Sequence, residues 1–222
     1  MKALVLGASG LIGNELLNRL LSDERYDEVL VIARSSLKIK NPKLRIDLKE
    51  STQFHESVLL QEADHLYCCL GSTIKKAGSE ENFRAIDFDV PFSCIRSAHS
   101  SKRLEKVLLV SAMGADAKSK IFYNRVKGES ENALSTLGLK EFHIFRPSLL
   151  LGDRQEKRSG EALAMKISKP LGWIFRGPLK KYKPIHARTV AHAMIKQGLS
   201  KSETGVHIHE SDSIEESGHN TF

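Results

Sequence analysis

Cysteine is scarce, with three in 222 residues, and two of them, Cys68 and Cys69, are neighbours on an apolar run. An odd count, with two neighbours that cannot easily pair, argues against a disulfide framework, and reduced thiols in a cytoplasmic compartment are expected. Long apolar runs are missing too. No stretch approaches the roughly 18 residues of a membrane span, so no membrane association is expected. Met1 to Leu6 meets Gly7 too soon to form the apolar core of a signal peptide. There is no G-x-S-x-G elbow, and the glycine-rich loop carries no Walker lysine, so serine-hydrolase and P-loop kinase readings lack their central residues. Nor is there a strong excess of one charge. The 34 Lys+Arg against 27 Asp+Glu leave +7, which permits nucleic acid without indicating it, and none is expected as a partner.

What is present is an ordinary globular composition, 41% hydrophobic and 27% charged, in a length that suits one domain. Short apolar runs alternate with amphipathic segments. Strands are expected at Lys2–Leu6, Glu28–Ala33, Leu44–Ile46, His65–Leu70, Lys106–Val110 and Glu141–Phe145. Helical patterns cover Leu11–Leu21, Glu80–His99 (with Pro91 in the first turn of its main segment) and Ile121–Leu137. Strand–helix alternation implies right-handed parallel βαβ units, and so a doubly wound α/β sheet of the Rossmann type. After Pro147 the alternation loosens into a small C-terminal lobe over residues 147–210. It has helices at Glu161–Ile167 and Ala187–Gly198, an irregular loop at Lys169–Pro184 and a late strand at Val206–Glu210. The polar residues 211–222 read as a frayed tail.

Gly7-Ala8-Ser9-Gly10-Leu11-Ile12-Gly13 joins the first strand to the first helix. Glycines there permit a tight turn, close approach to a pyrophosphate and close helix–strand packing, with the helix N-terminus facing the phosphates. A tight βα turn that binds nothing is the plain alternative; placement at the first βα junction favours dinucleotide binding. The second strand ends in Ala33-Arg34-Ser35 where an NAD-preferring chain usually places an acid. Arginine can pair with a 2′-phosphate and stack on adenine, so NADP(H) is the expected cofactor. Against this stands a merely solvated arginine. Asp47 and Leu48, after the third strand, fall where adenine contacts are expected.

Tyr123 and Lys127 are four residues apart on a helix, which sets them on one face, one turn from each other. A phenol titrates near 10, and a neighbouring ammonium favours phenolate. The lysine can also hold ribose hydroxyls, while Ser111, after the fifth strand, is placed to bond a substrate oxygen. Hydride passing between a nicotinamide and a carbonyl carbon, with Tyr123 moving the proton, follows from those roles. Taken alone, the pair would be a packing tyrosine and a solvated lysine; with Ser111 and the glycine loop it becomes a constellation.

These motifs resemble the short-chain dehydrogenase/reductase superfamily in its atypical branch. The chain is similar to the Tat-interacting, NADPH-binding oxidoreductase-like family in Gly7–Gly13, Tyr67-Cys68-Cys69-Leu70-Gly71-Ser72-Thr73, Lys76-Ala77-Gly78, Tyr123 with Val126-Lys127-Gly128-Glu129, Phe145-Arg146-Pro147 and Asp153-Arg154-Gln155-Glu156. The resemblance implies Ser9, Gly10, Leu11 and Ile12 on the pyrophosphate and Arg34 and Ser35 on the 2′-phosphate. It puts Leu70 and Gly71 by the ribose, Ser72 among the cofactor contacts, and Tyr123 and Lys127 at the nicotinamide. Arg146 and Arg154 also fall on nucleotide positions, with ion pairing as their alternative. Two departures stand out. Ala112 replaces a second serine, and Asp87 stands where many members carry an Asn for proton relay. The implied activity is reduction or oxidation of a small carbonyl or alcohol by a monomer or homodimer; a non-catalytic, NADPH-binding regulatory or redox-sensing scaffold is the competing reading. Partners in transcription or nuclear transport, tied to eukaryotic relatives, are not expected from these residues.

Weaker signals have plain readings. His207 and His209 share a strand face but lack further ligands, so no metal is expected. His186 suits a loop histidine as well as a substrate contact. Arg176, Lys180, Lys181 and Lys183, interleaved with Trp173, Phe175 and Tyr182, read as a solvated loop with apolar anchors. Cys68 and Cys69 read as buried, inert thiols.

Overall fold

Runs such as Ala3-Leu4-Val5-Leu6 and Val29-Leu30-Val31-Ile32 are apolar at every position, the pattern of strands covered on both faces. The computed structural model describes residues 1–151 and 182–219. It has strands β1 (Lys2–Leu6), β2 (Glu28–Ala33), β3 (Leu44–Leu48), β4 (His65–Cys68), β5 (Lys106–Val110), β6 (Glu141–Arg146), β7 (Leu150–Leu151), β8 (Ile185–His186) and β9 (Gly205–Glu210). Seven of them make one sheet in the order β3-β2-β1-β4-β5-β6-β9, while β7 and β8 pair separately. Every pairing is parallel. Strand order reverses between β1 and β4, which opens a crevice at their C-terminal ends.

Helices α1 (Leu11–Ser22), α2 (Ile74–Ala77), α3 (Glu80–Arg84), α4 (Val90–His99), α5 (Phe122–Ser135), α6 (Ala187–Leu199) and α7 (Ser211–His219) complete the described fold. On one face Leu16, Leu17 and Leu20 of α1 and Val190, Ala191 and Met194 of α6 pack on Ala3, Val5, Val29 and Val31. On the other, Cys94, Ile95 and Ala98 of α4 and Leu134 of α5 meet Leu4, Leu6, Leu30 and Ile32, together with Phe54 and Leu59 from two 3₁₀ turns. Gly198 lets α6 close on the sheet: a Cβ there would lie 2.1 Å from the Tyr67 Oη. That hydroxyl is 2.7 Å from the Tyr26 hydroxyl, itself 2.7 Å from Nδ1 of His65.

Three expectations change. The helix expected over Glu80–His99 is α3 and α4 separated by a π-helical turn, Ala85–Asp89. Pro91, in the first turn of α4, has no N–H to donate four residues back, and its ring crowds the carbonyl of Asp87, so the ladder widens there. Residues 211–219 are not frayed. Ile214 of α7 is fully buried against the α1–α6 layer, and Gly218 lets the helix approach Thr189, whose carbonyl oxygen would be 2.4 Å from a Cβ. One apolar anchor in a polar segment is enough to dock a helix. Within the expected lobe of residues 147–210, α6 and β9 belong to the main sheet layers. The expected helix at Glu161–Ile167 and most of the Lys169–Pro184 loop, with Trp173, Phe175, Arg176, Lys180 and Lys181, lie outside the described residues.

Candidate functional site

The glycine spacing has a packing reason. Gly7 has φ +81, and a Cβ on it would lie 2.6 Å from the Cys69 oxygen of the adjoining β4 loop. On Gly13 it would lie 2.1 Å from the Gly7 oxygen, so α1 rests directly on the turn. Gly10 caps α1 in an extended conformation and donates to the Gly7 oxygen at 2.9 Å. No side chain caps this helix and no acid lies in its first turn. The N–H groups of Leu11, Ile12 and Gly13 therefore face the crevice without intrahelical acceptors, beside exposed Ser9 and Gly10. This cradle fits a dinucleotide pyrophosphate, and a Cβ on Gly10 would lie 3.2 Å from the Gly7 oxygen.

Arg34 and Ser35 are exposed just beyond the C-terminal end of β2, next to the loop. Among the described residues the Arg34 guanidinium has no ion-pair partner, so it is available to an anion. Asp47 accepts a hydrogen bond from the Ser57 hydroxyl at 2.6 Å, and Leu48 is 54% exposed. An exposed leucine there gives an apolar surface on the same side of the crevice.

Beyond β4, Leu70, Gly71 and Ser72 line the other side. Here the structure assembles a cluster. Lys127, on the second turn of α5, is buried, with Nζ 2.7 Å from Oδ1 of Asp87, whose side chain is fully buried. The second Asp87 oxygen accepts the Ser72 N–H at 2.8 Å. Burial works against the Lys127 ammonium, yet the charge of Asp87, with the Tyr123 oxygen nearby, outweighs it and holds the lysine above its ordinary range. Tyr123 is half-buried, its ring 5.3 Å from that of Phe83. Cys68 lies behind the cluster, its thiol pushed up to about 11 by burial. It is a protonated packing residue, like Cys94, which burial raises to about 12.

Ser111 departs from expectation. Its hydroxyl is buried and donates to Glu131, so it is not aimed at a substrate oxygen. Glu131 also receives Arg146 Nη2 at 2.5 Å and Nε at 3.1 Å, and Nη1 of Arg146 reaches Glu210 at 3.1 Å. Arg146 thus ties α5 to β9 through ion pairs, the alternative stated for it from the sequence. Neither Glu131 nor the direct Asp87–Lys127 pair was anticipated. The signal for Glu131 was available: it continues the Tyr123–Lys127 stripe at the next four-residue step. Arg154 lies outside the described residues.

His207 and His209 stack with His143 at ring separations of 4.8 and 5.3 Å, and His143 Nδ1 is 3.0 Å from His209 Nε2. Phe145 continues the column at 4.6 Å from His209. Among the described residues no three His, Cys, Asp or Glu side chains are grouped to hold a metal. His186 is exposed immediately before α6, and Lys183 pairs with Glu215 at 2.9 Å.

Comparison with known proteins agrees with this geometry. The profile of the NAD dependent epimerase/dehydratase family matches residues 3–125. Protein HTATIP2 of Rattus norvegicus is 35% identical over 177 residues, covering 76% of this chain and 72% of that protein. Protein FMP52, mitochondrial, of Candida albicans is 31% identical over 202 residues, covering 88% of this chain and 86% of its own. Among solved structures, MoeE5 in complex with UDP-glucose and NAD superposes with a TM-score of 0.70 at 12% identity, over 94% of this chain and 75% of that one. UDP-glucuronic acid 4-epimerase from Bacillus cereus in complex with NAD gives 0.69 at 16%, over 94% and 76%. The cytoplasmic expectation is overturned by these relatives, since the FMP52 proteins of several yeasts are mitochondrial by name. Reduced thiols separate reducing from oxidising compartments and do not single out the cytoplasm. The chain belongs to the NAD-dependent epimerase/dehydratase family, within the atypical short-chain dehydrogenases/reductases.

Proposed function

We propose that this chain is an NADPH-dependent oxidoreductase acting on a small carbonyl or alcohol, with Tyr123 as proton donor and acceptor. The observation that carries the reading is a buried, charged Lys127 one turn from half-buried Tyr123. A lysine taken out of water beside a tyrosine has little purpose in packing alone, because an apolar residue of like size would do as well.

The nicotinamide, when bound, supplies or accepts the hydride. The chain's own residues do the rest. First-turn N–H groups of α1 hold the pyrophosphate, and Arg34 with Ser35 selects the 2′-phosphate. Lys127 takes the ribose hydroxyls, and Tyr123 moves the proton at its phenolic oxygen. Solved neighbours hold NAD; the preference for NADPH rests on Arg34.

The non-catalytic reading draws on one observation. With the Ser111 hydroxyl given to Glu131 and alanine at position 112, no serine at the end of β5 is free to polarise a carbonyl. Fluorescence titration with NADPH and NADH, and turnover of aldehydes, ketones and quinones by the wild type and Tyr123→Phe, separate the two. The proposal expects tighter NADPH binding and a loss of at least about 100-fold in turnover in the variant. Tight NADPH binding without turnover by either protein would establish the regulatory reading instead, and equal turnover by both would end the role of Tyr123.

A further inference from the structure

We propose that Asp87 is a positioning residue that fixes Lys127 at the cofactor edge and keeps it charged there. The inference rests on the reading of Lys127 as a cofactor contact and adds a partner to it.

The geometry is specific. Asp87 sits on the π-helical turn and spans two elements, with one oxygen 2.7 Å from Lys127 Nζ and the other accepting the Ser72 N–H at 2.8 Å. The carboxylate therefore ties α5 to the loop after β4. A Cβ on Gly71 would stand 3.4 Å from Oδ1 of Asp87 and 3.6 Å from Nζ of Lys127. The ion pair thus lies against the exposed backbone of Gly71, at the crevice edge. The groups facing Lys127 are Asp87 from the π turn, Cys68 from β4 and Tyr123 from α5 itself. Cys68 is protonated and carries no charge at neutral pH. Asp87 is then the fixed anion of the cluster, and removing its charge leaves a buried ammonium with only a phenol beside it.

The consequence has a definite sign. Burial alone lowers a lysine below its unfolded value. In Asp87→Asn, Lys127 gives up its proton on folding as the pH rises toward the unfolded lysine value. Such a depressed base makes the fold more stable as pH increases. In the wild type the lysine is raised, so its contribution is present below the unfolded value and is level between pH 7 and 10.

The experiment compares wild type, Asp87→Asn and Asp87→Asn/Lys127→Met by thermal unfolding and NADPH fluorescence titration from pH 7 to 10. For Asp87→Asn, a melting temperature that climbs with pH relative to wild type is expected, with NADPH affinity about tenfold lower by pH 10. The double variant has no charge to strand, so its unfolding profile runs parallel to wild type and it is more stable than Asp87→Asn. Parallel profiles for Asp87→Asn and wild type, or a double variant no more stable than the single, would overturn the proposal. Should Asp87→Asn not fold, a folded double variant supports it and an unfolded one overturns it. A wild type that binds no NADPH would fail the cofactor reading, and the unfolding series would still decide whether Asp87 sets the charge of Lys127.

Discussion

At Ser111 the hydroxyl donates to Glu131, whose other partners are Nε and Nη2 of Arg146. Glu131 is buried at 3% exposure, so these bonds compensate a carboxylate that has lost its water. In Ser111→Ala the arginine still neutralises the charge, and the cost is one charge-assisted hydrogen bond, about 1–3 kcal/mol by urea denaturation. Turnover, once a substrate is found, should change by less than about threefold, because the hydroxyl faces Glu131 and not the crevice. A loss near 100-fold with unchanged stability would return Ser111 to the substrate. This residue also marks a limit of sequence reading. Its position after β5 was legible, but the acceptor of its proton depends on a helix 20 residues later. The Tyr123–Lys127 pair was legible because helical spacing alone brings it together.

Among the elements, strands were easiest to read because burial on both faces writes an unbroken apolar run; β1, β2 and β5 have the expected limits. The π turn was not legible. Its apolar residues recur much as they do in an α-helix, and only Pro91 hinted at a break. The last helix was hidden for a different reason: α7 is polar except for Ile214 and is docked by tertiary contact, which composition does not record. Ile214→Ala tests the docking. A buried isoleucine cut to alanine should cost about 2–5 kcal/mol, read as a lower urea midpoint at unchanged slope. A frayed tail would lose less than about 0.5 kcal/mol, as at ordinary surface sites.

Across the whole molecule, three histidines are neutral in the fold at pH 7. His65 lies under Tyr26, and His143 and His209 are stacked between β6 and β9; burial first, then neighbouring positive groups, lowers each to about 4. Unfolded, each titrates near 6.5. Between those values the unfolded chain binds more protons than the fold, so stability falls as pH drops from about 6.5 to 4. Because His143 and His209 are in contact, they take up protons as a set, and the transition reports the column, not one ring. Carboxylates act lower on the scale: Glu62, drawn down to about 2 by Arg45 and Lys2, is lost as a stabilising group only as pH falls below the ordinary glutamate range. Urea unfolding at half-unit steps from pH 7.5 to 4 should therefore show stability declining well above pH 5. Replacing His143 with Gln should flatten the decline, since one of the stacked bases is gone. A wild-type stability that stays level down to pH 4.5 would mean that water reaches these rings and the β6–β9 edge opens readily.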